Sequence, residues 1–127
     1  MHLALWIATA LLAAVALAGG VSKTFVPKQR LAEHPGGAWT AEASSRFVRT
    51  LGILELLAVV GLTLPAALHV APVLVPVTAL CWIGLMIGAM ITHGRLGQPG
   101  LVMVNLLYLS IAAFVAWGRL GPGAFAG

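Results

Sequence analysis

Glu55 is the residue whose type and position could best do chemistry. It follows Arg46 by nine positions within an apolar run, so a helix would place it roughly 13 Å deeper in a bilayer. An ionisable group near the bilayer middle is costly unless it is protonated, paired or directed at a wet cavity. We therefore expect Glu55 to point into a helical bundle, with Gly52 and Val59 on its own helix face.

Other polar residues belong to the same side of such a bundle. If four apolar helices alternate in direction, the ends of the first and third meet the starts of the second and fourth. The polar residues brought together there, next to Glu55, are Lys23, Arg49, His93, Arg95, Asn105 and Tyr108.

Two interpretations of this cluster remain open. In the first, Glu55 bonds to Asn105 or Lys23, and the arginines and His93 are anchors at headgroup depth. In the second, the cluster lines a ligand pocket with a cationic mouth and an acidic floor, suited to a quinone-like, polyprenyl or anionic amphiphilic molecule. Glu55 and His93 are then the candidate catalytic residues, although no catalytic role is assigned.

The sequence gives no sign of a metal, nucleotide or nucleic-acid site. His2 and His69 fall on the far side from His93, so no pair of haem ligands is expected across the bundle. Cys81 is the single cysteine, and we expect it to be a small core residue. The seven basic and three acidic residues give a net charge of +4, which on apolar helices sets topology rather than nucleic-acid binding.

The elements that position these residues follow from composition. Hydrophobic residues make up 61% of the 127 residues and charged residues 8%, with a mean hydropathy of +1.04, whereas a soluble domain carries roughly 25% charged residues. Crossing a bilayer takes about 20 apolar residues in a helix. We predict an all-α membrane four-helix bundle, one domain over residues 1–127, with transmembrane helices at residues 3–21, 48–64, 72–92 and 101–117.

Helix-capping residue types and prolines suggest where helices begin and end. Thr40 is predicted to cap the second helix, with Glu42 in its first turn. Pro65 is predicted to end that helix, and Pro76 to lie in the first turn of the third. The Gly84-x-x-x-Gly88 pattern favours close packing within the bundle over dimerisation.

The first loop is predicted to lie at the membrane interface. Pro27, Pro35 and Gly36 argue against a long helix there. Trp39 and Phe47 are expected at headgroup depth as part of an aromatic belt. The loop is either a linker or a re-entrant cap over the mouth of the bundle.

Basic residues in the loops predict the orientation in a cell membrane. The first loop carries five of the seven lysines and arginines, the third carries Arg95, and the second carries none. The positive-inside rule makes loops one and three cytoplasmic and places both termini outside. We also expect the first helix to be retained rather than cleaved as a signal peptide, because no positively charged segment precedes it.

Several segments together resemble the DoxX-like family of small membrane proteins. The resemblance is carried by Lys23 after Gly19-Gly20 and by residues 47–57 (FVRTLGILELL), 61–65 (GLTLP), 92–95 (THGR) and 105–107 (NLL). It implies a single DoxX-like transmembrane domain of four helices. The family is named for a small subunit of a thiosulfate:quinone oxidoreductase, and other members are associated with membrane redox complexes.

The resemblance implies an auxiliary subunit of a quinone-linked redox system. Its partners would be the lipid bilayer, another membrane or redox protein, and a lipophilic small molecule, with a quinone as the candidate cofactor. Two alternatives are a small membrane enzyme acting on a lipophilic substrate through Glu55, and a proton-coupled carrier using the same residue.

Overall fold

Four long helices dominate the computed structural model, which describes residues 2–33, 37–41, 43–121 and 123–124. The helices in chain order are α1 (His2–Phe25), the short α2 (Lys28–Glu33), a 3₁₀ turn (Ala38–Ala41), α3 (Ser45–Leu68), α4 (Leu74–Arg95) and α5 (Pro99–Leu120). All four long helices are long and apolar enough to cross a bilayer. The described ranges contain helices and no strand, which confirms the predicted membrane four-helix bundle.

The long helices form an antiparallel ring in the order α1, α3, α4, α5. Leu5 near the start of α1 lies against Gly118 near the end of α5, and Gly20 near the end of α1 faces Gly52 near the start of α3. The ends of α1 and α4 and the starts of α3 and α5 therefore share one end of the bundle. We call it the Lys23 end.

Apolar side chains both fill the interior and cover the outer faces of the helices. Leu12, Leu62, Ala79, Ala112 and Val115 are fully buried. The two alanines among them let the helices approach closely, as is usual where lipid surrounds a bundle. The exposed side chains include Leu17, Leu57, Ile87 and Met103, which lie on the faces available to acyl chains.

The prediction that Thr40 caps the second helix is wrong. The cap of α3 is Ser44, whose Oγ accepts a hydrogen bond of 3.1 Å from the backbone N–H of Phe47. The hydroxyl of Thr40 instead donates to the carbonyl of Gly37 inside the 3₁₀ turn. Both residues are good cap types, but Thr40 lies inside the 3₁₀ turn, whereas Ser44 directly precedes α3.

The prediction that Pro65 ends the second helix is also wrong, because α3 continues to Leu68. An internal proline removes one hydrogen bond, but unwinding the last turn in lipid would free several more backbone groups. The helix ends instead at His69, whose φ of 55° is left-handed, and the N–H of Val70 donates to the carbonyl of Pro65. Pro76 lies in the first turn of α4, as expected.

The first loop contains short helical segments, in keeping with the expectation that no long helix forms there. In it, α2 and the 3₁₀ turn pack mainly against each other. Trp39 belongs to that turn and is half-buried. Pro35, Gly36 and Glu42, which the predictions also used, lie outside the described residues.

Cys81 lies on the outer face of α4 and is exposed, so the prediction of a core cysteine is wrong. The buried face of this helix is formed by Val75, Ala79, Trp82 and Met86. Cys81 falls off that face, where its thiol is directed away from the bundle.

Candidate functional site

An ion pair joins α1 to α3 at the Lys23 end. The Nζ of Lys23 donates to Oε1 of Glu55 over 2.7 Å. The side chain of Glu55 is 5% exposed and that of Lys23 is 22% exposed. Glu55 therefore points into the bundle, and of its two expected partners it is Lys23 that holds it.

Glycines bring the two helices close enough for this pair to form. A Cβ at Gly19 would overlap the carboxylate of Glu55, and a Cβ at Gly52 would lie 2.7 Å from the backbone nitrogen of Thr24. Only a hydrogen fits at either position without displacing a neighbour. The Gly19-Gly20 step of α1 and Gly52 of α3 thus bring the Glu55 carboxyl group across to Lys23.

The ion pair borders a cavity of about 370 Å³, which we call the main cavity. This volume lies in the usual range for small-molecule sites. The cavity is lined by Lys23, Trp39, Phe47, Leu51, Glu55, Gly84, Leu85, Met86, Gly88, Ala89, Thr92, His93 and Asn105. Charged and polar groups thus share one space with aromatic and aliphatic side chains.

Asn105 is the least satisfied polar residue in this lining. Its side chain is buried, with 9% exposure, and its Nδ2 has no hydrogen-bond partner among the described residues. A buried donor without a partner costs about 1–3 kcal/mol. An unpartnered buried donor of this kind calls for an acceptor such as an ordered water or a ligand atom.

His93 is held in one orientation beside the same cavity. It is buried, and its Nδ1 lies 2.8 Å from Oε1 of Gln98 in the turn that follows α4. That contact uses one ring nitrogen, so the other, Nε2, is the one a ligand would meet. Thr92 also lines the cavity, but its hydroxyl donates to the carbonyl of Gly88.

Gly84 and Gly88 form an open stretch of the cavity wall. Both are exposed and both line the main cavity, and a Cβ at either position would meet no neighbouring atom within 4 Å. The prediction that this pair packs helices together within the bundle is therefore wrong. The pair instead leaves an open space beside the continuous helix α4, on its face turned toward lipid, and we call this space the gap in α4.

The predicted pocket residues divide into two groups. Lys23, Glu55, His93 and Asn105 line the main cavity. The other three lie elsewhere: Arg49 is exposed beside a second cavity, Arg95 is exposed at the end of α4, and Tyr108 packs on the hydrophobic core.

Sequence reasoning did not identify several of the lining residues. Trp39 was predicted to be a belt residue, and Thr92 was used as part of the family resemblance, yet both line the main cavity. Trp39 lies in a loop whose path no periodicity specifies. The Thr92-His93 pair could have suggested Thr92, because the two residues occupy the last turn of one helix.

A second polar contact lies at the opposite end of the bundle. Arg119 of α5 is 3% exposed, and its guanidinium lies 2.8 Å from Nδ1 of His2 and 5.6 Å from the ring centroid of Trp6. The sequence did not indicate this buried arginine. No group of three His, Cys, Asp or Glu side chains in the described ranges is arranged to hold a metal ion.

Comparison with known proteins identifies the family of this bundle. A model of the DoxX-like family matches residues 7–115, which include both members of the ion pair and both His93 and Asn105. Searches of curated proteins and of solved structures found no match. Because the matched segment spans most of the chain and part of each of the four membrane helices, this multi-pass membrane protein belongs to the DoxX-like family.

Proposed function

We propose that this protein binds a quinone-like molecule in the main cavity and serves as an auxiliary subunit of a membrane redox system. The observation that carries the proposal is the buried side chain of Asn105, which belongs to the lining of a mixed polar and apolar cavity and whose Nδ2 has no partner among the described residues. Its Nδ2 group is a donor, so the ligand should offer an acceptor such as a carbonyl oxygen.

The polar lining suits a ring with carbonyl oxygens. Asn105 supplies an amide donor, Lys23 supplies an ammonium group, and His93 presents its second ring nitrogen. Because Asn105 and His93 are buried and the Lys23 ammonium is held by Glu55, these groups are pre-positioned. Pre-positioned donors bind a ligand with less loss of side-chain freedom.

The apolar lining suits the ring faces and a prenyl tail. Trp39, Phe47 and Met86 line the cavity and offer aromatic and thioether surfaces to a flat ring. The gap at Gly84 and Gly88 lets a long tail leave the cavity sideways into the acyl chains. This combination fits a membrane-soluble quinone better than a compact polar metabolite.

Reduction of a quinone to a quinol takes two electrons and two protons. In this proposal the electrons come from a partner redox protein, which is why the role is auxiliary. Glu55 and His93 border the ligand space, and both residue types exchange protons in proteins. They are the groups through which protons would reach the bound ring.

The test measures binding of a short-tailed quinone to the detergent-purified protein. Quenching of tryptophan fluorescence is the readout. The variant is Asn105→Leu, which keeps the volume and removes the donor. The matched control is Ser110→Ala on the same helix, which is exposed and outside the cavity lining. We expect Asn105→Leu to bind about tenfold more weakly and Ser110→Ala to bind like the wild type. Equal binding by all three proteins would overturn the proposal.

A second candidate function is favoured by the ion pair in the lining. A carboxyl group next to an ammonium group in a membrane cavity is also what a small enzyme or a proton-coupled carrier would use. The variant Glu55→Gln keeps the shape of the side chain and removes its charge. If the folded variant retains full function in cells, both of these readings fail, while quinone binding through Asn105 still stands.

A further inference from the structure

A second cavity of about 280 Å³ lies at the Lys23 end, between the end of α1, the start of α2 and the start of α3. It shares Lys23 with the main cavity, and its remaining lining residues are different. The residues that matter for its chemistry are Thr24, Lys28, Ser45 and Arg49. None of them takes part in the proposed quinone site.

The charge of this second cavity is positive. Lys28 and Arg49 both line it, and neither forms an ion pair with any residue in the described ranges. Lys23 is already paired with Glu55, and the lining includes no acidic side chain among the described residues. Two cations therefore line one small volume, and no acidic side chain of the described residues in that lining compensates them.

The uncharged groups of the lining also favour an anion. Thr24 is a lining residue, and its Oγ1 is buried next to Gly52 with no hydrogen-bond partner within the described part of the chain. Ser45 opens α3, a helix of 24 residues. Ser44 accepts from the N–H of Phe47 in its first turn, and the N–H groups before Phe47 have no acceptor within the helix and lie at its positive dipole end. Cations, a hydroxyl and helix N–H groups together form the usual surroundings of a bound phosphate.

We propose that the second cavity binds a phosphate group. Its position at the ends of three helices, two of which are membrane spans, corresponds to the depth of lipid headgroups. The phosphate can come from an anionic phospholipid or from free phosphate, since both offer the same oxygens. The proposal does not depend on what occupies the main cavity.

The experiment uses the full chain, delipidated in detergent. Phosphatidylglycerol, phosphatidylcholine with the same acyl chains, and inorganic phosphate are added in separate arms, and bound molecules are counted by native mass spectrometry. The test variant is Lys28→Gln/Arg49→Gln. The matched control is Arg46→Gln/Arg95→Gln, which removes the same charge at the same end from exposed residues outside the cavity.

We expect the wild type to retain phosphatidylglycerol in preference to phosphatidylcholine. The test variant should bind it about tenfold more weakly, and the control variant should bind it like the wild type. If millimolar phosphate displaces phosphatidylglycerol, the phosphate ion alone is sufficient for binding. If phosphatidylglycerol binds and phosphate does not, the lipid headgroup is the source of the phosphate. Either result supports the site.

Thr24→Val gives a second test that leaves the net charge unchanged. It removes the buried hydroxyl and keeps the side-chain shape, so it should weaken phosphatidylglycerol binding several-fold. The proposal is overturned if the test and control double variants lose binding equally, or if neither phosphatidylglycerol nor phosphate binds the wild type.

Discussion

The carboxylate of Glu55 lies directly against the backbone of Gly19 on the neighbouring helix. One turn further along α1, Lys23 donates to the same carboxyl group. Gly19 therefore leaves space for the Glu55 carboxyl group, and Lys23, four residues later, donates a hydrogen bond to it.

Gly19→Ala should destabilise the bundle, because the added methyl group would take the place of Glu55 Oε2 and separate the ion pair. We expect a loss of about 1–3 kcal/mol, as for other overpacked sites. Thermal unfolding in detergent, monitored by circular dichroism, measures this loss of stability. Gly84→Ala is the control, because its Cβ would meet nothing within 4 Å. Equal effects of the two substitutions would contradict this view of Gly19.

Breaking the ion pair from one side should cost more than removing it altogether. Lys23→Met leaves the buried carboxyl group of Glu55 without its donor, at a cost of about 3 kcal/mol. The double variant Lys23→Met/Glu55→Met replaces both charges by apolar groups and should recover most of that loss. Unfolding titrations of both single variants and the double variant measure the coupling. Strict additivity would mean that the contact contributes nothing.

Filling the gap in α4 should block the main cavity without harming the fold. Gly88→Leu adds a side chain where a Cβ has no neighbour within 4 Å, so stability should hold while quinone binding falls at least about tenfold. Binding is read from tryptophan fluorescence. Ile87→Leu, at an exposed position outside the lining, is the matched control. Undiminished binding by Gly88→Leu would show that the ligand does not pass this wall.

The proposed orientation can be tested with single cysteines on a Cys81→Ser background. Val70 in the second loop and Leu96 in the third are both exposed. With loop three cytoplasmic, a membrane-impermeant maleimide should label Val70→Cys in intact cells. It should label Leu96→Cys only after the cells are permeabilised. The reverse pattern would invert the topology.

The inward direction of Glu55 could be predicted from sequence because lipid penalises any other placement of a carboxyl group. The four membrane helices were predictable for the same reason, since apolar runs of this length have few alternatives. Because successive membrane helices run in opposite directions, the ends of the first and third must meet the starts of the second and fourth. Lys23, Glu55, His93 and Asn105 could therefore be brought together without coordinates.

The faces of these helices could not be predicted in the same way. In a soluble protein the polar face shows which side is exposed, but here lipid and core accept the same side chains. Cys81, Gly84 and Gly88 are exposed, although their residue types are equally compatible with the core into which we predicted them. The placement of Trp39 depends on the path of a loop, which local sequence does not determine.

The long helices differ in the side-chain hydrogen bonds that join them to their neighbours. Side-chain hydrogen bonds tie α1 to α3 through Lys23 and to α5 through Arg119, one at each end. In the described part of the chain, the side-chain hydrogen bonds of α4 stay within that helix or reach the turn after it. Outward displacement of α4 would therefore enlarge the main cavity without breaking a polar bond between helices, so we expect this helix to be the wall that yields when a bulky ring is admitted from the bilayer.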